Sequence, residues 1–379
     1  MNDGILKVAV LIRNYNASGG GAERYCVELT ERLAKIYEVH VFSQNISETS
    51  DNIVFHKISQ FFKRPRYLNQ LLFSWLTKRA TQNKFDIVHS HDLVTHANIY
   101  TLHVPCVRTK WTQEKGVKKI LRWANTLLSP RKIAYLWLEN KQMEILPNRH
   151  FISVSEYLSR NILESYPRLN NHITVAHPGI EIQPTNDEKI AILRKKFREN
   201  HNIPSSAFVL LFVAHGFKRK GLPAIVKALE SLNNNNIHII IAGSGNPKDI
   251  QISSSIVKRN AHFIGVVKNM NELYPVADTL IHPTLGDTYG MVALEAMSHK
   301  LPVIVSNEKY CGFSEHLNNT NALILTNPRN SVEISEYIKI LYNQTELRHY
   351  ISTNGFKESQ KTNWENTKNQ TLEAYKKIL

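Results

Sequence analysis

The sequence has few of the residues that stabilise secreted domains or carry a chain across a membrane. Its 379 residues include only three cysteines, which are widely separated and form no Cys-x-x-Cys pair. A disulfide framework and a zinc knuckle are therefore not indicated. No run of about 18 uncharged apolar residues is present, so a membrane-spanning helix is not predicted. The first residues lack the basic flank and unbroken apolar core of a signal peptide, and together these absences favour a reducing cytoplasm.

Acidic residues are also in deficit, and the deficit is unevenly distributed. The chain has 47 Lys and Arg against 32 Asp and Glu, a formal net charge of +15. Residues 101–150 hold ten basic and three acidic residues, a net of +7, interleaved with Trp, Leu and Ile. This composition is typical of a surface that lies on an anionic membrane, which predicts peripheral attachment to the inner face of the cytoplasmic membrane. A folded helical region with a solvated basic face would have the same composition.

A non-catalytic protein that binds nucleic acid would also account for the net charge, because basic side chains neutralise phosphates. The basic excess follows no recognised nucleic-acid-binding module, however, and it lies beside the features of a ligand pocket. We therefore expect no nucleic-acid partner.

Glycine is not spaced as in a dinucleotide-binding loop, since no Gly-x-Gly-x-x-Gly pattern is present. Instead, three consecutive glycines that include Gly20 and Gly21 follow a predicted strand at 7–13 and precede a helical period at 25–36. Glycine permits close approach of the backbone, so this loop is a candidate contact for a phosphate or an acceptor. A plain turn would have the same residues.

Apolar strands alternate with amphipathic helices along both halves of the chain, which predicts α/β domains with parallel sheets. The predicted strands are 7–13, 37–43, 53–58, 85–92, 99–103, 151–155, 208–214, 237–242, 262–265 and 279–282, and the predicted helices include 68–81 and 156–166.

One stretch in the second half, 282–306, has the pattern of a nucleotide pocket. An apolar strand ends, a turn follows, and Gly290 opens a segment with the apolar period of a helix. At such a helix start the amides of Gly290, Met291 and Val292 have no intrahelical acceptor, and the helix dipole favours an anion. A phosphate is therefore expected to bind there.

Two carboxylates frame this turn. Asp287 precedes the helix and Glu295 lies eight residues later, about two turns along, so both can face one cleft. At these residues the chain resembles the retaining glycosyltransferases of family four, whose signature is two acidic residues with seven between them. The first acid of that family is usually Glu, so Asp287 leaves the donor sugar open. Taken alone, the pair is also typical of a helix N-terminal charge and a solvated helix residue.

The resemblance implies a GT-B fold, in which two Rossmann-like, doubly wound parallel-sheet domains face a cleft. It further implies that Asp287 contacts hydroxyls of the donor sugar, that Glu295 holds the ribose, and that the amides between them hold the diphosphate. Enzymes of this kind bind the diphosphate without a divalent ion, so the resemblance implies neither a metal nor another cofactor.

Two features of the first half also resemble the family. Thr101-Leu-His103 matches a Thr-x-His at a strand end that provides a histidine beside the reacting sugar, and Gly20 and Gly21 match the family's glycine loop. The functional residues of parallel sheets commonly lie just outside the strand ends, where His103 falls. A metal site is the alternative, because imidazole and carboxylate are ligands of zinc and iron. Its candidate ligands would be His89, His91, His96, His103, Asp86 and Asp92.

Three features of the second half extend the resemblance. Lys220-Gly221 matches the family's diphosphate-binding Lys-Gly, and Arg219 is a candidate substitute for an arginine that usually stands a few residues earlier. Taken alone, this basic turn would be a solvated loop. Val266 lies in the stretch whose backbone usually contacts the nucleobase.

The resemblance divides the chain into an acceptor-binding domain, 1–172, and a domain that binds the nucleotide sugar, 173–362. A closing helix, 363–379, is expected to return to the first domain. The tripeptide Cys311-Gly-Phe resembles the sequence at this position in the enzymes that add hexoses to the lipopolysaccharide core. The predicted function is transfer of a hexose from a nucleotide diphosphate sugar, a UDP-sugar by preference, to a sugar hydroxyl of a cell-surface glycan or lipopolysaccharide core. A sugar-nucleotide epimerase of the same architecture is the alternative enzyme.

Overall fold

The structure is a computed structural model that describes residues 5–109, 116, 126, 128–182 and 186–379. The chain divides into two compact units, and each unit has its own parallel sheet. The first unit comprises Met1–Gly179 with Trp364–Leu379, and the second comprises Ile180–Asn363.

The first unit is built on a parallel sheet that is covered on both faces. Its strands are β1 Lys7–Leu11, β2 Asn14–Tyr15, β3 Glu38–Ser43, β4 Asn45–Ile46, β5 Ile53–Lys57, β6 Ile87–Ser90, β7 Ile99–Leu102, β8 His150–Ser153 and β9 Ile173–Val175. The sheet order is β5-β3-β1-β6-β7-β8-β9, and β2 pairs with β4 separately. Every residue of β6, β7 and β8 is buried, as expected where helices cover both faces of a parallel sheet.

The helices of this unit bury one face each. They are α1 Gly21–Leu33, α2 Arg66–Thr81, α3 Pro130–Gln142 and α4 Glu156–Ser165, with a 3₁₀ turn at Pro167–His172 and a C-terminal helix at Trp364–Lys376. In α1 the buried residues Tyr25, Leu29 and Leu33 recur every four positions, which places them on one side of the helix. The C-terminal helix packs on α1 and buries Trp364 and Tyr375 in the core of the first unit.

The second unit repeats the architecture. Its strands are β10 Phe208–Val213, β11 Ile237–Ala242, β12 Ala261–Gly265, β13 Thr279–His282, β14 Val303–Ser306 and β15 Leu323–Leu325, in the order β12-β11-β10-β13-β14-β15. Its helices are α5 Asp187–Asn200, α6 Leu222–Leu232, α7 Ser255–Asn260, α8 Met270–Leu273, α9 Met291–Ser298, α10 Ser331–Asn343 and α11 Thr345–Gln360, with 3₁₀ turns at Pro247–Asp249, Tyr274–Val276 and Gly312–His316.

The predicted fold class, two Rossmann-like parallel-sheet domains, is confirmed by these two sheets. The position of the boundary differs from the predicted one. Strand β9, at 173–175, pairs in parallel with β8, so it completes the first sheet, and the division lies between Gly179 and Ile180 rather than at 172. A short apolar run indicates a strand, but the run itself does not specify which sheet the strand will join.

In each unit the strand order reverses at one point, and the loops after the strands meet there. In the second unit the reversal lies between β10 and β13, because later strands add on opposite sides of β10. In the first unit it lies between β1 and β6. Ligands of doubly wound sheets bind in the crevice at such a point, so the loops after these four strands are the expected location of a binding site.

Candidate functional site

The loops that follow β10 and β13 are in direct contact at the reversal point of the second sheet. Gly221 has a φ of +89°, and a Cβ at this position would lie 2.0 Å from the carbonyl oxygen of Pro283. Only glycine therefore permits this approach of the two loops. The amide of Leu285 donates to the carbonyl of Arg219 at 3.0 Å, which fixes their register and places Lys220 beside Asp287.

The carboxylate of Asp287 has two partners, both of which contact Oδ2. The ammonium of Lys220 donates one hydrogen bond to this oxygen, and Nε2 of His282 donates another at 3.2 Å. Both partners are buried, with 8% of Lys220 and 1% of His282 exposed. Burial alone would raise the pKa of Asp287, but the hydrogen bond from His282 and the charge of Lys220 outweigh it and hold the pKa below the usual range.

The second oxygen of this carboxylate is available for a further hydrogen bond. Within the described ranges, Oδ1 of Asp287 accepts no hydrogen bond. The backbone of Asp287 is fixed on both sides, because its amide donates to Tyr310 at 2.8 Å and its carbonyl accepts from Gly312 at 3.1 Å. A fixed, ionised oxygen of this kind is suited to accept a hydrogen bond from a sugar hydroxyl.

The start of helix α9 has the geometry that an anion requires. Gly290 precedes the helix with a φ of +102°, and a Cβ there would lie 2.5 Å from Sγ of Cys311. The position therefore requires glycine for both backbone and packing reasons. The amides of Met291 and Val292 lie in the first turn, where an α-helix provides no acceptor for them. The sequence-predicted phosphate contact is thus located at a helix N-terminus.

Glu295 lies half-buried on α9, one turn beyond these amides. Its Oε2 accepts a hydrogen bond from the hydroxyl of Tyr274 at 2.5 Å, and Tyr274 itself is fully buried. The tyrosine therefore fixes the direction of the carboxylate. Neither Tyr274 nor His282 was predicted as a site residue, although both lie in the segment that leads to or begins the motif. Each of these two residues is recognised by its hydrogen bond to a carboxylate of the site, and the spacing of residues in the sequence does not show that pairing.

The structure places Arg219 and Val266, two further predicted contacts of the donor, at different positions in the second unit. Nη1 of Arg219 donates to the carbonyl of Gly286 at 2.6 Å, so Arg219 lies beside the Asp287 loop while its side chain stays exposed. Val266 follows β12, the edge strand of the sheet, and 66% of it is exposed. In the described part of the chain, no hydrogen bond joins Val266 to the other predicted residues.

In the first unit, His103 follows β7 and forms a hydrogen bond with another histidine. Its Nε2 lies 3.0 Å from Nδ1 of His91, and its ring packs edge-on against Tyr25 of α1, with centroids 5.1 Å apart. Burial lowers the pKa of His103 to about 3, so the ring is neutral at physiological pH. Gly20 precedes α1 in an extended conformation and Gly21 begins the helix. The glycine loop therefore leads into the helix whose Tyr25 packs against His103.

His89, another histidine of the first unit, forms hydrogen bonds with two hydroxyl groups of the protein. His89 contacts the Tyr375 hydroxyl at 2.8 Å and the Thr101 hydroxyl at 2.7 Å. Among the described residues, no group of three or more His, Cys, Asp or Glu is arranged to hold a metal ion. None of the helices in the described ranges combines the length and apolarity needed to cross a membrane.

Two family comparisons match most of the chain. Residues 194–358 match the family described as glycosyl transferases group 1, and residues 19–183 match glycosyltransferase family 4. An uncharacterized glycosyltransferase of Methanocaldococcus jannaschii is 26% identical over 306 residues, which are 78% of this chain and 76% of the relative. Lipopolysaccharide glucosyltransferase WaaG of Escherichia coli strain K12 is 24% identical over 300 residues, 75% of this chain and 78% of the relative.

Solved structures show the same fold. The crystal structure of WaaG, a glycosyltransferase involved in lipopolysaccharide biosynthesis, superposes with a TM-score of 0.78 at 20% identity, covering 96% of this chain and 98% of that one. Anabaena HepE, solved in complex with UDP-glucose, superposes with a TM-score of 0.74 at 16% identity, covering 98% and 99%.

Proposed function

The chain belongs to the family 4 glycosyltransferases with the GT-B fold, and on that basis we propose that it transfers a hexose from a UDP-sugar to a sugar hydroxyl of a cell-surface glycan or lipopolysaccharide core. The proposed reaction retains the anomeric configuration and uses no metal. The observation that carries this proposal is the hydrogen bond of Lys220 to Asp287, in the loop that leads into helix α9 at the reversal point of the second sheet.

The chemistry of the leaving group accounts for the basic side of this site. As the bond to the sugar breaks, negative charge develops on the diphosphate, and fixed dipoles or cations that face it lower the barrier. The ammonium of Lys220, the exposed guanidinium of Arg219 and the amides at the start of α9 are suited to that role. These groups would provide the compensating charge that a divalent ion provides elsewhere.

The acidic side of the site orients the donor. In this proposal Oδ1 of Asp287 accepts hydrogen bonds from the sugar hydroxyls, and Glu295, whose direction is fixed by Tyr274, holds the ribose hydroxyls. His103 hydrogen-bonds the sugar near the anomeric carbon. Each of these groups contributes position, since none is proposed as a covalent nucleophile.

The choice of donor and acceptor is supported by the relatives. HepE was solved with UDP-glucose, and WaaG is a lipopolysaccharide glucosyltransferase. The resemblance at Cys311-Gly-Phe points to the same group of acceptors. Asp287 in place of the usual Glu shortens the side chain by one methylene, which would move the oxygen by about 1 Å and so bears on which hexose fits.

A donor panel tests the proposal. The protein is incubated with UDP-glucose, UDP-galactose, UDP-GlcNAc or GDP-mannose, with and without a lipopolysaccharide-core acceptor, in the presence of a chelator, and nucleotide release is measured. We expect acceptor-dependent release of UDP that the chelator does not abolish, and an α-linked product from an α-linked donor. Conversion of the donor sugar without acceptor would identify an epimerase instead. Salt-sensitive duplex binding without any donor turnover would identify a nucleic-acid binder.

We also propose that the first unit lies on an anionic leaflet, where a lipid-linked acceptor is found. The basic residues at 115, 118, 119 and 122, on which the sequence prediction drew, lie outside the described residues. Within the described part, helix α3 carries Arg131 and Lys132 together with Trp137, which is 51% exposed. Each basic residue near an anionic bilayer contributes about 1 kcal/mol, and tryptophan prefers the headgroup zone.

Vesicle sedimentation tests this second proposal. The protein should pellet with phosphatidylglycerol vesicles at low salt and separate from them as salt rises, while neutral vesicles leave it in solution. Replacing Arg131 and Lys132 by Gln should weaken the attachment. The matched control replaces Lys195 and Lys196, two exposed lysines of α5 in the second unit, and should leave it unchanged. Equal recovery with anionic and neutral vesicles would exclude an electrostatic membrane contact.

A further inference from the structure

Three histidine rings form a continuous stack at the ends of β6 and β7. His89 and His91 stack with centroids 4.5 Å apart, and His91 and His103 stack at 5.3 Å. Burial lowers the pKa of His89 and of His103 to about 3 and lowers that of His91 well below its usual value. All three rings are therefore neutral, and each has one N–H donor and one lone-pair acceptor.

We propose that His91 is a positioning residue that sets the tautomer of His103, so that His103 presents an N–H at Nδ1 and serves its ligand as a hydrogen-bond donor. This inference concerns the role proposed above for His103, but the tautomer itself is a property of the first unit. It follows from the one hydrogen bond between the two rings, in which Nδ1 of His91 lies 3.0 Å from Nε2 of His103.

The first step is the direction of that hydrogen bond. Nε2 of His91 is buried and has no hydrogen-bond partner among the described residues. If this nitrogen carried the proton, an N–H would be buried unpaired, and its lost hydration would not be compensated by a hydrogen bond. Orphaned buried N–H groups are rare in proteins. The opposing preference of free imidazole for a proton on Nε2 is smaller, so His91 carries its proton on Nδ1 and donates to His103.

A second histidine of the same chain shows this arrangement. Nε2 of His282 faces the ionised carboxylate of Asp287 at 3.2 Å, and only a protonated nitrogen can form that bond. The other nitrogen, Nδ1 of His282, is then a buried lone pair without a partner among the described residues. The fold thus tolerates a buried imidazole lone pair without a partner when the N–H of the same ring donates a hydrogen bond. The same arrangement is inferred for His91.

The second step is the consequence for His103. Because its Nε2 accepts the proton of His91, its own proton lies on Nδ1. His103 is half-buried. Its Nδ1 has no hydrogen-bond partner among the described residues, yet it is not one of the buried, unpaired nitrogens, so it is accessible. The N–H therefore points to where solvent or a ligand can reach it. A neutral donor of this kind hydrogen-bonds a sugar oxygen and does not act as a general base.

Nuclear magnetic resonance tests the tautomer without donor or acceptor. In protein labelled with ¹⁵N in its histidine rings, long-range proton–nitrogen correlation distinguishes protonated from unprotonated ring nitrogens, and the His103→Gln variant assigns the signal. We expect His103 to be protonated on Nδ1 and unprotonated on Nε2. A proton on Nε2 of His103 would overturn the inference. This readout stays valid even if the protein fails to turn over any donor, so the two proposals can fail separately.

Substitution of His91 tests the positioning role. Asn places an amide nitrogen near the position of Nδ1, so His91→Asn should keep the His103 tautomer and keep kcat within about threefold. His91→Leu removes the donor and should lower kcat about tenfold, the rate equivalent of one hydrogen bond, with little change in donor KM. His89→Leu disturbs the same stack from the other side and should leave the tautomer unchanged even where it lowers the melting temperature. Equal kinetics and an unchanged tautomer in His91→Leu would exclude the role, and folded variants are verified by circular dichroism.

Discussion

The two carboxylates of the candidate site are held by different partners, but both are expected to be essential for transfer. Asp287 is paired with a buried ammonium and an imidazole, whereas Glu295 is oriented by a phenol. We expect Asp287→Ala and Glu295→Ala each to reduce transfer at least about 100-fold, because both remove contacts proposed to strengthen in the transition state. Glu272→Ala, at an exposed glutamate of helix α8, is the matched control and should leave the rate unchanged. Near-normal rates in both site variants would contradict the proposed roles of Asp287 in holding the donor sugar and of Glu295 in holding the ribose.

The buried cation of the site has its own prediction. Lys220→Met should weaken UDP binding about 10- to 150-fold, since a charge-assisted hydrogen bond is worth about 1.5–3 kcal/mol. Arg219→Met removes an adjacent but exposed cation and should weaken binding less, because solvent screens its charge. Isothermal titration calorimetry with UDP provides both values. Unchanged UDP affinity in Lys220→Met would locate the diphosphate contact elsewhere.

At the scale of elements, the site depends on the contact between the loops after β10 and β13. Gly221 and Gly216 lie in the same loop with positive φ values of +89° and +81°, but only a Cβ at Gly221 would meet the Pro283 carbonyl. Alanine at Gly216 should cost about 1 kcal/mol of unfolding free energy from backbone strain alone. Alanine at Gly221 adds a clash and should cost more, and it should also weaken UDP binding by displacing the Asp287 loop.

Urea unfolding and UDP titration of the two variants measure these effects. Because both positions have positive φ, the difference between the variants isolates the clash. A Gly221→Ala protein with the stability and UDP affinity of Gly216→Ala would show that the loop contact does not support the site.

At the scale of the whole molecule, the buried histidines predict sensitivity to acid. Burial lowers the pKa of His89 to about 3, while an unfolded histidine has a pKa near 6.5. Between these values the unfolded chain binds a proton that the folded chain does not, so the unfolding free energy falls as pH falls. The expected slope is about 1.4 kcal/mol per pH unit from His89 alone, and His103 acts in the same direction.

Urea unfolding at pH 7, 6 and 5 tests this linkage. His89→Gln should be less stable than the native chain at pH 7, yet its stability should depend less on pH, because one coupled proton has been removed. An unfolding free energy that is constant over this range would show that these histidines take up protons in the folded chain as they do in the unfolded chain.

Much of the fold was determined by consecutive residues. Apolar runs, helical periods and glycine positions are local signals, so the sequence predicted the strand–helix alternation, the two parallel sheets and the turn that ends at Gly290. Asp287 and Glu295 also lie on one turn and the helix it opens, so their relation to that helix start could be inferred from spacing.

The partners of those residues were decided by the tertiary structure. Lys220 and Asp287 lie 67 positions apart, and the sheet order joins them because β10 and β13 are neighbours. The hydrogen bond of His91 to His103 likewise depends on the pairing of β6 with β7. The sheet that β9 joins was decided in the same way. Local sequence specifies where a strand ends, but which strand ends meet depends on how the crossovers arrange the strands, and that is a property of the whole folded chain.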